Sequence, residues 1–484
     1  NADGVLTYLM NEEEDALKPG ILCSSDNDNI ATGRLPPILM PKTGGQLDLF
    51  SKNRSSVICI DSSSEDVFKP LLELFDTDHL TMIALPLTNR NFEHIGLLCL
   101  LFKQADDLTT ESKKASLSFI QALSGFAAVT LESRQLLHMQ EALLNSFIKL
   151  IAGAIDAKSP YTGGHCQRVP ELTKMLAQAA CESTDEPFED FSLSDKEWEA
   201  LEIASWLHDC GKVTTPEYVV DKATKLETIY DRIHEIRMRF EVLKRDAEID
   251  YWQQLAGGAD NNTLEKTLTT TLQQLDDDFA FIAECNEGDE FMSDEKIERL
   301  KQIANRTWKR TLDDSIGISW EEARRKNRNG KQPLPVDEQL LSDKPEHIIE
   351  REAHEYMPED NPWGFKLDVP ECKYNRGELY NLSVARGTLS AEERYKINDH
   401  MTQTIMMLEK LPYPKHLRDV PKIAGGHHET MDGKGYPRRL TRDDMSITAR
   451  MMAIADIFEA LTASDRPYKK AKSLSEAIRI MSFM

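Results

Sequence analysis

Apolar residues over the first hundred positions fall in short runs between polar loops: Val5-Leu6-Thr7-Tyr8-Leu9-Met10, Ser56-Val57-Ile58-Cys59-Ile60, Met82-Ile83-Ala84-Leu85-Pro86-Leu87 and Ile95-Gly96-Leu97-Leu98-Cys99-Leu100-Leu101-Phe102. Runs of this kind predict strands, and their spacing predicts a small α/β domain over residues 1–107. From about Thr109 to Ala157 the period changes. Leu117, Ile120, Leu123, Val129, Leu136, Met139, Leu143, Phe147 and Leu150 recur at three- and four-residue steps, which predicts one long helix or two in tandem. Residues 108–157 are thus expected to form a connecting helix that pairs with a second copy, packing on its own domain being the alternative.

Dense helical patterning returns in residues 158–220 and 388–484, interrupted by a charged stretch. Within that stretch Leu226, Ile229, Ile233, Ile236, Phe240, Leu243 and Trp252 mark an amphipathic helix, broken at Gly257-Gly258. Leu264, Leu268, Leu272 and Leu275 mark a second, and Ile297, Leu300, Ile303 and Trp308 a third after a Ser293 cap. Residues 221–387 are expected to be an inserted helical subdomain, irregular over 328–385. The whole reads as a multidomain α+β chain whose C-terminal part is all-α.

At 484 residues the chain exceeds what one hydrophobic core organises. A net charge of −24 argues against a nucleic-acid polymer or an anionic membrane surface as partner, since both would be repelled. A small anionic substrate stays compatible if metal ions concentrate positive charge locally. The eight cysteines are scattered without a C-x-x-C pair, which fits a reduced cytoplasmic setting. No apolar run nears the roughly 18 residues of a membrane span. The chain starts at Asn1 within a strand-like run and stops at Met484 within a helical pattern, so a natural protein continuing in both directions is expected.

Ionisable residues inside apolar helices carry the chemical information. The helix through Leu201-Glu202-Ile203-Ala204-Ser205-Trp206-Leu207 ends in His208-Asp209, and Asp456 lies in Ala453-Ile454-Ala455-Asp456-Ile457-Phe458, apolar nearly all round. A lone buried carboxylate costs several kcal/mol unless paired or metal-bound. Candidate partners are His165, His400 and the His427-His428 pair. Imidazole with carboxylate and no thiolate cluster suits iron, manganese or zinc in an open site. The remaining histidines, His79, His94, His138, His234, His347, His354 and His416, are read as structural or surface residues. Lys212 follows His208-Asp209 by one helical turn, which places a positive charge beside them.

His208-Asp209-Cys210-Gly211-Lys212 together with His427-His428-Glu429-Thr430-Met431-Asp432-Gly433-Lys434-Gly435-Tyr436-Pro437 resembles the HD-GYP family of the HD phosphohydrolase superfamily, over residues 145–220 and 388–480. The resemblance implies a helical bundle with two divalent metal ions, iron or manganese, zinc, magnesium or nickel being alternatives. It implies that His165, His208, Asp209 and Asp456 hold one ion, and that Asp209 bridges to a second held by His400, His427 and His428. Gly433, Gly435, Tyr436 and Pro437 would shape the substrate pocket and a surface for diguanylate cyclase domains, and Arg466 and Lys469 match phosphate-contacting positions. The implied reaction is hydrolysis of cyclic di-GMP to the linear dinucleotide, with GMP as a further product. Another cyclic dinucleotide, 3′3′-cyclic GMP-AMP, or a non-hydrolysing regulator are the alternatives.

Two departures stand out. Members with a third ion carry Glu four residues before the first His, where this chain has Tyr161, so two ions are expected. The insertion at 221–387 is foreign to the pattern and is expected to flank the cleft. Residues 1–107, whose last two strand runs precede a long helix, resemble a GAF sensor domain. They lack the Asn-Lys-x-Asp signature of its cyclic-nucleotide binders, which leaves its small-molecule ligand unread.

Overall fold

A computed structural model of the chain describes residues 2–11, 16–24, 27–30, 32–39, 56–63, 67–91, 93–103, 111–158, 164–288, 291–330, 332–358, 360–463 and 471–483. They fall into two compact units, residues 1–145 and 146–484.

The first unit is an antiparallel sheet of seven strands: β1 (Gly4–Met10), β2 (Ala16–Ser24), β3 (Asn27–Ile30), β4 (Ile38–Leu39), β5 (Ser56–Asp61), β6 (His79–Thr88) and β7 (His94–Phe102). Their order is β3-β2-β1-β7-β6-β5, with β4 on β2. The alternation expected of a half-buried sheet is clear on β1, where Leu6 and Tyr8 are fully buried between exposed or half-buried neighbours. Leu17, Leu22, Met82 and Leu101 complete the core, and the short α1 (Pro70–Leu74) contributes Leu71. The strands expected at residues 5, 56, 82 and 95 are present. β2, β3 and β4 are additions. β2 carries Lys18-Pro19-Gly20, which reads as a turn, and its register against β1 shifts between Leu6 and Tyr8, with Tyr8 facing Pro19.

α2 (Glu111–Asp156) is one continuous helix, not two. Much of its apolar surface is exposed, including Phe126 at 78%, Leu136, Leu143, Phe147 and Leu150.

In the second unit α3 (His165–Glu182), α4 (Asp195–Leu207), α5 (Glu217–Val220), α11 (Ala391–Asn398), α12 (His400–Glu409), α13 (Val420–Ala424), α14 (Ile447–Thr462) and α15 (Leu474–Met481) are helical. Ala152, Ala177, Ala204, Leu207, Leu408, Val420 and Met452 form the shared core of this bundle. Alanines are interspersed among the larger residues, which lets the helices approach closely. α4 starts at a reciprocal Ser194–Glu197 capping box and α14 at Ser446, whose hydroxyl accepts from Ala449 N at 3.1 Å.

The insertion has its own core of Leu226, Ile236, Phe240, Phe281, Ile282, Leu300, Leu340 and Leu382. Its helices are α6 (Ile233–Ala256), α7 (Asn261–Asn286), α8 (Asp294–Ala304), α9 (Trp320–Lys326) and α10 (Glu378–Leu382), and the Ser293 cap of α8 is present. The pattern predicted helices with an irregular stretch over 328–385, and the insertion also holds two small two-stranded sheets. β8 (Thr307–Arg310) pairs with β9 (Val336–Gln339), and β10 (Ile348–Glu350) with β11 (Cys372–Asn375). Trp308, assigned to the third helix, lies on β8, and Leu226 and Ile229 precede α6. Strands of three or four residues are too short to leave a periodic trace. The two ends of the insertion meet: Thr388 Oγ1 donates to Lys222 O at 3.0 Å, and the buried Lys222 pairs with Glu393 at 2.7 Å.

Among the described residues no disulfide joins the eight cysteines, and no helix is long and apolar enough to cross a membrane.

Candidate metal centre

Seven side chains converge in the bundle: His165 opens α3, His208 and Asp209 follow α4, His400 opens α12, His427 and His428 follow α13, and Asp456 lies within α14. Their ligand atoms form two groups, Asp209 with His400, His427 and His428, and His165 with His208 and Asp456, each lying within 4.8 Å. Asp209 connects them. Its Oδ2 is 3.2 Å from Nε2 of both His165 and His208, and its Oδ1 is 3.2 Å from His400 Nε2 and 3.9 Å from His427 Nε2. Asp456 Oδ1 closes the first group at 3.3 Å from His165 Nε2.

Four of the five rings are fixed by their outer nitrogen. Nδ1 of His208, His400 and His427 faces the carbonyl three residues back, on Ser205 at 2.7 Å, Ile397 at 2.5 Å and Ala424 at 2.7 Å. Nδ1 of His165 faces Glu459 Oε2 at 2.6 Å. Each contact favours the proton on Nδ1 and leaves Nε2 directed inward, the arrangement by which outer partners orient metal-binding imidazoles. The close approach of Gly211 helps: a Cβ there would fall 2.0 Å from His400 O. Only glycine lets the segment after Asp209 lie against α12.

Burial and charge act in opposite directions here. Burial works against the His165 cation, but the carboxylates of Asp209, Asp456 and Glu459 outweigh it and raise its pKa to about 11. His427, desolvated and beside His208, falls to about 4, and His428 is driven well below its ordinary value by burial and its neighbours His427 and His400. Burial opposes ionisation of Asp209, yet Lys212 and the histidines hold it well below the usual carboxylate range. Asp209 Oδ1, His400 Nε2 and His427 Nε2 are buried and make no hydrogen bond. Unsatisfied lone pairs turned toward one another are what a cation would satisfy. The donor set, imidazole and carboxylate only, fits iron, manganese or zinc.

Lys212 reaches back to Asp209 Oδ2 at 2.5 Å. Tyr436 stacks on His428 at 4.8 Å between centroids and 15° between planes. Gly433 has φ +76°, and Gly435 could carry no Cβ, which would fall 2.4 Å from Glu429 Cα. Pro437 follows through a cis peptide bond. Arg466 and Lys469 lie outside the described residues, as does Tyr161.

Sequence reading passed over Glu459, Asp156 and Glu429. Glu459 also takes Arg168 Nη2 at 2.6 Å. It stands three residues after Asp456 in the same apolar helix, so the burial argument that singled out Asp456 applied to it equally. Asp156 accepts from Gly164 N at 3.1 Å and Cys166 N at 3.2 Å, capping the start of α3 and seating His165. Glu429 is buried and accepts from Arg438 N at 2.6 Å and Leu440 N at 2.8 Å, holding the glycine-rich turn.

The C-terminal region of the chain, residues 335–484, matches the family described as HD domain. This stretch contains four of the seven converging residues, His400, His427, His428 and Asp456. A 95-residue stretch is 38% identical to 3′3′-cGAMP-specific phosphodiesterase 3 of Vibrio cholerae, covering 20% of each chain. Another of 127 residues is 50% identical to 3′3′-cGAMP-specific phosphodiesterase 1 of the same organism, over 24% of this chain and 28% of the relative. A third of 56 residues is 52% identical to a cyclic di-GMP phosphodiesterase of Pseudomonas aeruginosa, over 12% of this chain and 13% of the relative. The chain thus spans between 13% and 28% of the length of these relatives.

Proposed function

We propose that this chain, whose C-terminal region is an HD domain, is a two-metal cyclic dinucleotide phosphodiesterase of the HD-GYP type, acting on cyclic di-GMP and yielding its linear dinucleotide, with GMP as a further product. The observation that carries the reading is Asp209, which turns one oxygen to each histidine group. Two ions are proposed, iron or manganese. Divalent ions held there would supply Lewis acidity and a water of lowered pKa.

The chain's own residues account for the rest. His165, His208, Asp209 and Asp456 form one ligand set and Asp209, His400, His427 and His428 the other. Lys212, kept cationic by Asp209 against the effect of burial, is the positive group beside the cluster available to a phosphate or a departing oxygen. Gly433, Gly435, Tyr436 and Pro437 shape the substrate side, and Arg466 and Lys469 hold a phosphate. Such cations matter in a chain of net charge −24, which otherwise repels a dianion.

A second substrate reading has specific support. The 50% identical relative is named for 3′3′-cGAMP, while others are named for cyclic di-GMP. Both dinucleotides present the same phosphodiesters, and none of the converging residues distinguishes guanine from adenine. A non-hydrolysing regulator is less consistent with a complete set of seven ligands. The first unit is read as a GAF-like sensor for a small molecule, and α2 as the dimer-forming connector. Val129, Leu136, Leu143 and Leu150 recur every seven residues on α2, with Phe119, Phe126 and Phe147 interleaved and most of them exposed.

The test is anaerobic purification with metal counting, followed by hydrolysis assays on both cyclic dinucleotides. Two ions per chain and a linear product are expected. Both substrates left intact by the fully loaded protein would overturn the enzymatic reading.

A further inference from the structure

The five rings of the centre are not held alike. His165, His208, His400 and His427 each have an anchored Nδ1. Among the described residues no hydrogen bond anchors the His428 ring, which is stacked on Tyr436. Its other ring neighbours, His427 at 4.3 Å and His400 at 5.2 Å, are themselves anchored, so Tyr436 is the neighbour whose placement is left to set that of His428.

Tyr436 belongs to the turn over residues 430–440. Its N–H donates to His428 O at 3.1 Å, and Glu429 holds one side of the turn. The other side is held by the insertion. Lys366 N donates to Pro437 O at 2.7 Å, and Arg438 Nε donates to Trp363 O at 2.9 Å. The Arg438 guanidinium covers the Phe365 ring at 5.7 Å, and Arg439 pairs with Asp368 at 2.6 Å.

The segment making these contacts, residues 361–368, is itself braced. Asn361, buried, donates to Phe365 O at 3.0 Å and accepts from Phe365 N at 2.9 Å, closing a loop. Trp363 and Phe365 stack at 5.8 Å with planes 9° apart. A braced strap bonded to the residue after Tyr436 restricts that ring, and so the ring stacked on it.

We propose that the strap 361–368 is a positioning element of the centre, setting the cation affinity of the Asp209, His400, His427 and His428 group through Tyr436 and His428. The His165, His208 and Asp456 group, held by α3, α4 and α14, is independent of it. This rests on the reading of the seven side chains as metal ligands and on nothing about the substrate.

The experiment is calorimetric titration with Mn²⁺, and metal counting, on the full chain. Wild type is compared with Phe365→Ala, Arg438→Met, Tyr436→Leu and Tyr436→Phe. Wild type should bind two ions. Phe365→Ala, Arg438→Met and Tyr436→Leu should each weaken one site about tenfold and leave the other unchanged, as loss of an outer support does. Tyr436→Phe, which keeps the stacked ring, should match wild type. Phe365→Ala combined with Tyr436→Leu should add little to either alone, because both act through one stack.

Wild-type affinity at both sites in Phe365→Ala and Arg438→Met, with helix content unchanged by circular dichroism, overturns the strap proposal alone, as does full additivity with Tyr436→Leu. If Phe365→Ala does not fold, Arg438→Met decides, since it trims a partly exposed side chain and leaves the backbone bond from Lys366 to Pro437 in place. Fewer than two ions on wild type rejects the ligand reading, and the strap proposal falls with it.

Discussion

Nδ1 of His165 lies 2.6 Å from Oε2 of Glu459, and both side chains are buried. The contact sets which nitrogen of His165 faces Asp209 and Asp456, so a residue outside the ligand set determines how one ligand is presented. Burial raises the Glu459 pKa, but His165 and Arg168 outweigh it and hold the residue ionised. Glu459→Gln keeps an acceptor for the ring and removes the charge. Its expected effect is a loss of affinity at the His165 group of about 10- to 100-fold. Metal retention under chelator dialysis measures this; retention equal to wild type would show that the ring is positioned by α3 alone.

Asp209 lies 3.2 Å from histidines of both groups, His165 and His208 on one side and His400 on the other. Asp209→Ala should remove at least one ion and lower turnover by orders of magnitude, read by metal counting and a hydrolysis assay. Full metal content with an unchanged rate would rule out the bridging assignment. The variant should also destabilise the metal-free chain, because Lys212 and the histidines lose a buried partner, a change on the order of 3–5 kcal/mol. Denaturant unfolding in chelator would detect it.

Lys212 is bonded to Asp209 Oδ2, so its role divides into holding Asp209 and acting on substrate. If the second dominates, Lys212→Ala keeps near-normal metal content while hydrolysis slows. Loss of metal from this variant would assign Lys212 to support of the ligand set. Lys212→Arg should then restore metal content better than rate, since its longer planar head keeps the charge but not the position.

The converging side chains were legible in part: burying a carboxylate within or at the end of an apolar helix demands a partner, which singled out Asp209 and Asp456, while the division into two ligand sets came from the family resemblance. Glu459 met the same condition but was adjacent to an already chosen acid. Asp156 was illegible for a different reason: it closes a helix start through backbone N–H groups, a contact without a residue-type signature. The long apolar periods gave α2, α6, α7 and α8. β3 is Asn-Asp-Asn-Ile and β9 Val-Asp-Glu-Gln, edge strands too polar and short to alternate visibly. The contact of Lys366 with Pro437, 71 residues apart, could not be read from local pattern at all.

Loading metal should release a proton. His165 in the metal-free chain, raised to about 11 by three carboxylates against burial, is charged at neutral pH, whereas His427 at about 4 is not. A cation needs the neutral ring, so binding at the His165 group expels about one proton, and affinity should rise about tenfold per pH unit around neutrality. Without metal the sign reverses. The His165 contribution to folding is fully present below its unfolded pKa of about 6.5 and is lost as pH rises toward about 11. Calorimetry in two buffers of different ionisation enthalpy counts the proton; equal heats would show His165 neutral before binding.

The exposed stripe on α2 leads to the last expectation. Leu136 and Leu143, seven residues apart, are each more than half exposed, in line with Val129 and Leu150. Polar Ser133 and Gln140 occupy the alternate seam positions between Phe126 and Phe147, the kind of substitution that costs stability but fixes the register of two strands. A chain pairing through this stripe should sediment as a dimer, and Leu136→Asp with Leu143→Asp should yield monomer with the metal content of each chain unchanged. Because the seven converging side chains lie on α3, α12 and α14 or directly after α4 and α13, the monomer should retain a complete centre. Hydrolysis by the monomer at the wild-type rate would mean that pairing serves signalling alone. A wild-type chain that sediments as monomer at all concentrations would remove α2 as the pairing element.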